Sequence, residues 1–317
     1  MKHYDLIVVG SGAAGLAAAV YAGRYKLSTL VVEGEFGGET ATAGVIENYP
    51  GIPAIEGYEL MRSMKKQAQG TGAVFLDAWV KEIIQEGKCF VVKTEKEEIR
   101  STMVVLGIGS QRRHLNLPNE KELTGRGIHY CWTCDGPLYG GKVVAMIGGG
   151  DSSVKGVNFL AEYAEKIFLL YRDTDVRAEP INFERMQKLG DKVVLLPKTE
   201  VKEIVGEKKL EKIVLSQEYN GSFELPVDAL FVEIGFDPDQ TFVKQLGLET
   251  DERGYVKTDA HMNTNVPGLF VAGDMTNHFG GFKQDITAAA LGSVAATSAY
   301  EYKKNNPDIC VSHDKPS

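Results

Sequence analysis

The chain begins with a hydrophobic run, a glycine-rich turn and an alanine-rich stretch, which together cover residues 4–24. A second hydrophobic run, residues 27–33, ends in an acidic residue. A similar succession returns at residues 143–173, and a shorter run at 269–272 leads through a polar loop into another alanine-rich stretch from about Gln284. Short apolar runs separated by helix-length segments predict parallel strands joined by helices, so the pattern indicates an α/β fold.

The first turn has the spacing of a dinucleotide-binding motif. Gly10, Gly12 and Gly15 form G-x-G-x-x-G directly after the predicted strand and at the start of the predicted helix. In this motif the glycines allow a tight turn, a close approach of backbone to a pyrophosphate and close packing of the helix on the sheet. Glu33 ends the next predicted strand, about 20 residues on, where an acid can bind ribose hydroxyls. A glycine-rich turn without a ligand is the alternative.

The second turn departs from the motif at its third position, where Ser153 replaces glycine or alanine. Gly148 and Gly150 fill the first two positions, and serine is small enough for close packing. The next predicted strand does not end in an acid. Arg172 follows it, with Arg177 nearby. Arginines here can bind the 2′-phosphate of NADPH, or they are solvated surface residues.

The third run continues into Gly273 and Asp274. An aspartate at a strand end can bind the ribityl or phosphate region of a flavin. The N-terminus of the following helix can donate to the carbonyl of the flavin pyrimidine. A capping or turn role for Asp274 is the alternative.

Cys131 and Cys134 form a C-x-x-C pair just before the second glycine turn. Zinc normally takes four ligands, and the sequence offers no second cysteine pair, so we expect no metal site. A static disulfide is uncommon in cytosolic proteins, whereas this spacing suits a reversible redox pair. We expect Cys89 to be a small buried core residue, and Cys310 to lie in a frayed polar tail without function.

Composition excludes several classes of function. The net charge of −8 and the pI near 5.4 give no basic footprint for nucleic acid, and we expect no binding to an anionic membrane. No apolar run reaches the ~18 residues of a transmembrane helix. The first residues read as a strand rather than a signal peptide, so we expect a cytoplasmic protein.

Taken in order, these motifs resemble the low-molecular-weight thioredoxin reductases, with details similar to the archaeal members. The resemblance covers almost the whole chain, and C-x-x-C-D-G between two nucleotide motifs is its most specific feature. The motifs that carry it are Gly10-x-Gly12-x-x-Gly15, GGETATAGVIENYPG (37–51), CWTCDG (131–136), GGGDSS (148–153), YRDTDVRAE (171–179) and VAGD…FKQDITAA (271–289).

The resemblance implies two Rossmann-like nucleotide-binding domains. A discontinuous FAD domain, residues 1–115 and 244–317, would flank an NAD(P)H domain at 116–243 that carries the C-x-x-C pair. It implies a thioredoxin-disulfide reductase that passes electrons from NADPH through FAD and the Cys131–Cys134 disulfide to a thioredoxin-like protein. It also implies a homodimer, in which a rotation of the domains alternately presents the nicotinamide and the disulfide to the flavin.

The resemblance also assigns roles to residues. Cys134 would face the flavin, Cys131 would attack the disulfide of the protein substrate, and Asp135 would act as general acid or base. The residues implied in FAD binding are Gly10, Gly12, Ala13, Ala14, Gly15, Glu33, Gly37, Gly38, Glu39, Asn48, Gly109, Gly273, Asp274, Lys283, Gln284, Asp285 and Ile286. Those implied in NADPH binding are Gly148, Gly150, Asp151, Ser152, Arg172 and Arg177.

Several positions depart from the family pattern. Trp132 replaces a small residue between the cysteines, where we expect it to shield the disulfide or to change docking. Glu39 replaces a common glutamine and would place a carboxylate near the flavin. Tyr171 and Asp173 replace two basic residues of the usual phosphate clamp, which leaves NADH, ferredoxin or another electron donor open. A dithiol oxidase that passes electrons to oxygen, and a flavoprotein that only binds or senses, are further alternatives.

Overall fold

The structure is a computed structural model that describes residues 1–307, 309 and 310. The chain forms two compact units. Residues 1–111 and the described residues from 237 onward make up the first unit, and residues 112–236 make up the second. The boundaries implied by the family resemblance, after residues 115 and 243, lie a few residues further along the chain.

Strands and helices alternate through much of the chain. The first segment contains β1 (His3–Val9), α1 (Ala13–Arg24), β2 (Thr29–Glu33), α2 (Gly38–Ala41), β3 (Val45–Ile46), β4 (Ile55–Glu56), α3 (Gly57–Gly70), β5 (Val74–Asp77), β6 (Val80–Glu86), β7 (Cys89–Thr94), β8 (Glu98–Leu106) and β9 (Ser110–Arg112). The second contains α4 (Glu120–Leu123), β10 (Ile128–His129), α5 (Trp132–Asp135), β11 (Val143–Ile147), α6 (Asp151–Leu160), β12 (Lys166–Tyr171), α7 (Pro180–Gln187), β13 (Val193–Pro197), β14 (Val201–Val205), β15 (Lys212–Tyr219), β16 (Ser222–Pro226) and β17 (Ala229–Val232). The last contains β18 (Phe236–Pro238), β19 (Leu269–Val271) and α8 (Asp285–Asn305), and short 3₁₀ turns cover Gly136–Tyr139, Gly190–Lys192 and Gly273–Met275.

The first unit is built on a sheet with the strand order β5-β2-β1-β8-β7-β6, and β19 also pairs with β8. β1 runs parallel to β2 and β8. Leu6 and Val8 of β1 belong to the hydrophobic cluster on one face of the sheet, and Ile7 and Val9 belong to the cluster on the other. A strand covered on both faces needs apolar side chains at every position, which explains the unbroken run in the sequence.

Helices α1 and α8 pack closely against each other in this unit. A Cβ added to Gly292 of α8 would lie 2.0 Å from the carbonyl oxygen of Ala14 in α1. The buried alanines Ala18, Ala295 and Ala299 belong to the same cluster. The alanine-rich composition therefore allows the C-terminal helix to approach the first helix at backbone distance.

The second unit contains an all-parallel sheet with the strand order β10-β17-β11-β12-β13, and a separate antiparallel sheet of β14, β15 and β16. β11 lies between β12, the next strand along the chain, and β17. The order of strands reverses at β11, and ligands of such folds bind at the carboxyl end of a strand in this position. Both units contain parallel strands with their helices, which confirms the expected α/β class, although β7 pairs antiparallel with β6 and β8 in the first unit.

The expectation for Cys89 and Cys310 is wrong. The two cysteines form a disulfide, with their Cα atoms 5.2 Å apart. α8 returns along the first unit, and the buried Ile309 anchors the chain beyond it, so Cys310 reaches the start of β7. Residues 311–317, the rest of the tail expected to fray, lie outside the described residues.

We predict that Cys310→Ser lowers the free energy of unfolding by about 2–4 kcal/mol, because the Cys89–Cys310 disulfide closes a long loop in the unfolded chain. Urea denaturation followed by far-ultraviolet circular dichroism measures the change. Cys134→Ser is the matched control. It should lower the free energy of unfolding less, because it breaks a disulfide with a sequence separation of only 3. Equal midpoints for Cys310→Ser and the unchanged protein would contradict this account.

Candidate active site

The turn between β1 and α1 has the backbone that its glycines predict. Gly10 has a φ of 100°, and a Cβ there would meet the carbonyl oxygen of Gly107 at 2.5 Å. A Cβ at Gly15 would meet the carbonyl oxygen of Gly10 at 2.0 Å. Gly12 caps α1, and the nearest atom to a Cβ there, the carbonyl oxygen of Gly37, is 3.9 Å away. A Cβ at Gly12 would therefore not collide with the protein, unlike one at Gly10 or Gly15, and Gly12 lies directly before the first helical residues Ala13 and Ala14.

Glu33 ends β2 with a buried carboxylate, 6% exposed. Lys65 of α3 pairs with its Oε1 atom. Among the described residues, Oε2 is buried without a hydrogen-bond partner. A buried acceptor without a donor costs about 1–3 kcal/mol, so a ligand hydroxyl at this oxygen would be favourable. The orphan oxygen of Glu33 fits a ribose hydroxyl of a dinucleotide, and the glycine turn at the N-terminus of α1 fits its pyrophosphate.

Residues far apart in sequence meet beside this turn. The backbone N–H of Gly37 donates to Ser11 Oγ at 3.2 Å. Thr40 Oγ1 donates to Asp285 Oδ1 at 2.5 Å, and Asn48 Nδ2 donates to Gln284 Oε1 at 3.0 Å. The segment of residues 37–48 is therefore tied to the start of α8, where Gln284 and Thr287 form a capping box.

The remaining predicted FAD residues surround these contacts or lie near them in sequence. A Cβ at Gly273 would lie 3.0 Å from the Cβ of Ala14, which brings the end of β19 to α1. Gly38 lies close to Gly12, Ile286 follows Asp285 in α8, and the Glu39 side chain is exposed on α2. Gly109 has a φ of 73° in the loop after β8, and its carbonyl accepts from the N–H of Asp239 at 3.3 Å.

Asp274 and Lys283 form a partly buried pair of opposite charge. Burial raises the pKa of Asp274, and Asp285 raises it further, while Lys283 opposes the rise. Burial lowers the pKa of Lys283, against the effect of Asp274 and Asp251. The ammonium group donates to the Thr276 carbonyl and lies 4.3 Å from the centre of the Tyr255 ring. Burial thus works against the charged form of each group, and the charge of the other group opposes this effect.

The second glycine turn connects β11 to α6. Gly148 has a φ of 139°, and a Cβ there would meet the carbonyl oxygen of Glu233 at 2.1 Å. A Cβ at Gly150 would meet nothing within 4 Å. Ser153 is fully buried, and its hydroxyl donates to the Gly150 carbonyl at 2.8 Å. The serine in the third position therefore fits the turn and bonds to it.

The segment after β12 returns to this turn. The N–H of Arg177 donates to the Gly149 carbonyl at 2.6 Å. Asp151 Oδ1 accepts from the N–H of Glu179 at 2.9 Å, which ties the start of α6 to the same segment. The Arg177 guanidinium pairs with Asp173 at 2.9 Å, and Arg172 is exposed. Ser152 is exposed on the first turn of α6.

The Cys131–Cys134 disulfide spans α5, with the Cα atoms 5.3 Å apart. The N–H of Cys134 donates to Cys131 Sγ at 3.2 Å, and Thr133 Oγ1 lies 3.2 Å from the same sulfur. Cys134 is exposed and Cys131 is half-buried. Donors around Cys131 stabilise a thiolate there when the disulfide is reduced.

The large side chain of Trp132 is buried in the hydrophobic core of the second unit. Its ring centre lies 5.3 Å from that of Phe159, and a Cβ added to Gly156 would lie 3.0 Å from its Cδ1 atom. Trp132 therefore helps to hold α5 on α6. At 9% exposure it offers little surface for docking, contrary to one of the expectations for this residue.

Sequence reasoning missed two partners of the cysteine turn. His129 Nδ1 lies 2.9 Å from Asp135 Oδ2, and His129 Nε2 lies 2.6 Å from the hydroxyl of Tyr139. His129 is 4% exposed at the end of β10. Its place two residues before Cys131 was the only signal in the sequence. Lys65, the partner of Glu33, was missed because it comes from a helix that carries no motif.

Within residues 1–307, 309 and 310, no group of three histidine, cysteine or acidic side chains could hold a metal ion. None of the helices that the structure describes combines the length and the apolar character needed to cross a membrane.

Comparison with known proteins gives the family. A family model described as pyridine nucleotide-disulphide oxidoreductase matches residues 4–296. The thioredoxin reductase of Bacillus subtilis (strain 168) is 38% identical over 304 residues, 95% of each chain. The thioredoxin reductase structure of Lactococcus lactis has a TM-score of 0.89 at 33% identity, over 95% of this chain and 99% of that one. A ferredoxin-flavin thioredoxin reductase from Clostridium acetobutylicum has a TM-score of 0.52 at 33% identity, over 96% and 99%.

The chain belongs to the pyridine nucleotide-disulphide oxidoreductase family. It is an oxidoreductase, and its family implies FAD and a pyridine nucleotide as cofactors. The matches to thioredoxin reductases cover nearly the whole chain, which confirms the resemblance that the motifs gave and the two Rossmann-like domains that it implied.

We predict that Glu33→Gln weakens FAD binding by about ten- to hundredfold, because it removes a charged acceptor for a ribose hydroxyl. Titration of the apoprotein with FAD, followed by quenching of flavin fluorescence, measures the dissociation constant. Glu86→Gln is the control, because it removes an exposed carboxylate of the same unit that pairs with Arg100. If both variants bind FAD as tightly as the unchanged protein, Glu33 does not bind the ribose.

Proposed function

We propose that the protein reduces the disulfide of a thioredoxin-like protein with electrons from NADPH, carried through FAD and the Cys131–Cys134 pair. The observation that carries the proposal is the cysteine turn. It holds one sulfur under hydrogen-bond donors, leaves the other exposed, and places an acidic residue directly after it. We further propose, on the family resemblance, that the protein acts as a homodimer in the cytoplasm.

The first unit would hold FAD along the carboxyl ends of β1, β2 and β19. Gly12 and the N-terminus of α1 would bind the pyrophosphate, and Glu33 would bind the adenosine ribose through its orphan oxygen. Asp274 and the N-terminus of α8 would bind the ribityl and pyrimidine portions. When bound, FAD supplies the conversion between two-electron hydride transfer and thiol chemistry.

The two cysteines would have different roles in the reduction of the protein substrate. In the dithiol form, the Cys131 thiolate attacks one sulfur of the substrate disulfide, and the other substrate sulfur leaves with the electron pair of the broken bond. Cys134 then loses its proton to Asp135 and attacks Cys131. The Cys131–Cys134 bond forms, the bond from Cys131 to the substrate breaks, and the reduced substrate leaves. The hydrogen bonds from the Cys134 N–H and Thr133 favour Cys131 as the attacking thiolate.

The second unit would bind NADPH at the turn between β11 and α6. The open space at Gly150 and the N-terminus of α6 suit a pyrophosphate, and Asp151 and Ser152 lie in the first turn of that helix. Arg172 and Arg177 would bind the 2′-phosphate. Arg177 would have to exchange its pairing with Asp173 for the phosphate, which reduces the gain from this contact.

The Arg177–Asp173 pair also favours a second candidate function. A carboxylate beside the phosphate position repels an anion, so NADH or a protein electron donor would be less affected than NADPH. The similarity to a ferredoxin-flavin thioredoxin reductase supports a donor of that kind. In this alternative, the FAD and cysteine chemistry stays the same and only the source of electrons differs.

We predict that Cys131→Ser and Cys134→Ser each lower the NADPH-dependent reduction of a thioredoxin by at least about a thousandfold, because each removes one atom of the redox disulfide. The insulin precipitation assay with added thioredoxin measures the rate. Reduction of the bound flavin by NADPH should persist in both variants, since it does not require the disulfide. Cys89→Ser is the matched control and should retain the thioredoxin activity. Substantial activity in either C-x-x-C variant would contradict the proposed route.

A further inference from the structure

His129, Asp135 and Tyr139 form a chain of hydrogen-bonding groups beside the redox disulfide. His129 uses both ring nitrogens, Nδ1 toward Asp135 at 2.9 Å and Nε2 toward the Tyr139 hydroxyl at 2.6 Å. Its ring is buried, with its centre 5.4 Å from that of Phe231 and 5.3 Å from that of Tyr139. Phe231 is also the register partner of His129 across β10 and β17. The sheet and the aromatic rings therefore fix the orientation of the imidazole.

The direction of the hydrogen bonds follows from the state of Tyr139. Burial raises the pKa of this phenol, and the charges of Asp135 and Asp228 raise it further. The O–H of Tyr139 is therefore kept as a hydrogen-bond donor, and Nε2 of His129 is its partner. With the phenol as donor, the imidazole proton lies on Nδ1 and faces Asp135 Oδ2.

Few other charged groups act on this chain of contacts. Asp228 precedes β17 and acts on Tyr139, and Lys142, which precedes β11, lies 3.8 Å from the Asp228 carboxylate. The side chain of Asp135 is 34% exposed, so one carboxylate oxygen can bond to His129 while the group still meets solvent.

We propose that His129, held in one tautomer by Tyr139, is a positioning residue that aims the carboxyl group of Asp135 at the sulfur of Cys134. The inference rests on the proposed function, because it concerns the proton that accompanies opening and closing of the C-x-x-C disulfide. A carboxylate on a short exposed turn rotates freely unless one oxygen is held. The bond from Nδ1 holds Oδ2 and leaves Oδ1 for the proton of Cys134.

The step can be written for opening of the disulfide by dithiothreitol, which needs neither NADPH nor thioredoxin. A dithiothreitol thiolate attacks Cys131, the Cys131–Cys134 bond breaks, and the electron pair goes to the Cys134 sulfur. Asp135 relays a proton from solvent to that sulfur. The second thiol of dithiothreitol then displaces Cys131 and closes the oxidised dithiothreitol ring, so two electrons and two protons reach the cysteine pair.

The test compares two substitutions of similar size at His129 in the FAD-loaded full chain. His129→Asn keeps an N–H donor near the place of Nδ1, whereas His129→Leu keeps the volume without a donor. We expect His129→Leu to lower the rate of disulfide opening by dithiothreitol about tenfold. In this variant the pH dependence of the rate should flatten and the solvent deuterium isotope effect on the rate should be lost. We expect His129→Asn to retain most of the rate, of its pH dependence and of the isotope effect. Alkylation of free thiols followed by peptide mass spectrometry measures the opening of the Cys131–Cys134 disulfide separately from that of the Cys89–Cys310 disulfide.

Two further comparisons separate positioning from folding. Tyr139→Phe should also lower the rate of disulfide opening by dithiothreitol, because the hydroxyl that holds His129 in one tautomer is removed. Tyr130→Phe should not, although it removes a half-buried tyrosine hydroxyl next to Cys131, since that hydroxyl contacts Glu120 and His114. In an Asp135→Asn background, His129→Leu should cause no further loss of rate.

Equal rates and equal pH profiles for His129→Leu and the unchanged protein would overturn the inference. So would an undiminished effect of His129→Leu in the Asp135→Asn background. A different result would contradict the proposed function. In that case, the holoenzyme without substitutions would pass no electrons from NADPH to a thioredoxin. If the dithiothreitol rates still separate His129→Leu from His129→Asn in that case, the positioning role stands without the NADPH route.

Discussion

The first unit depends on the close contact between α1 and α8, two helices from opposite ends of the chain. Gly292 lies against the backbone of Ala14, and any larger residue at 292 would collide with it. This contact brings the end of β19 and the start of α8 to the glycine turn after β1. Without it, Gly273 would not reach Ala14 at the start of α1. The alanine-rich composition of both helices is thus a requirement of assembly as well as a source of helix propensity.

The second unit concentrates its chemistry in the short segment between β10 and β11. The parallel pairing of β10 with β17 buries His129, and the next six residues contain both cysteines and Asp135. The buried side chain of Trp132 holds α5 against α6, while Cys134 stays exposed. The packing of Trp132 thus holds the turn that carries both cysteines in place, so that their disulfide can open and close again.

Sequence reasoning succeeded where a local backbone requirement dictates the residue. Gly10, Gly15 and Gly148 stand where a Cβ would collide with a carbonyl oxygen, so their spacing alone predicts the turns. It failed where topology brings side chains together. The Cys89–Cys310 disulfide joins residues 221 positions apart, and the expected cytoplasmic location gave no reason to look for such a bond, so the sequence did not suggest it. The pairing of His129 with Asp135 depends on the register of β10, which two residues of strand cannot specify in advance.

The most direct measurement is an anaerobic stopped-flow experiment in which the FAD-loaded protein is mixed with NADPH and, separately, with NADH. Flavin absorbance is followed in time, and the thiols are then trapped with iodoacetamide. Our account predicts rapid bleaching by NADPH, followed by alkylation at Cys131 and Cys134 and none at Cys89 or Cys310. Absence of bleaching with both nucleotides, in a protein whose flavin dithionite still reduces, would contradict it and would indicate a different electron donor.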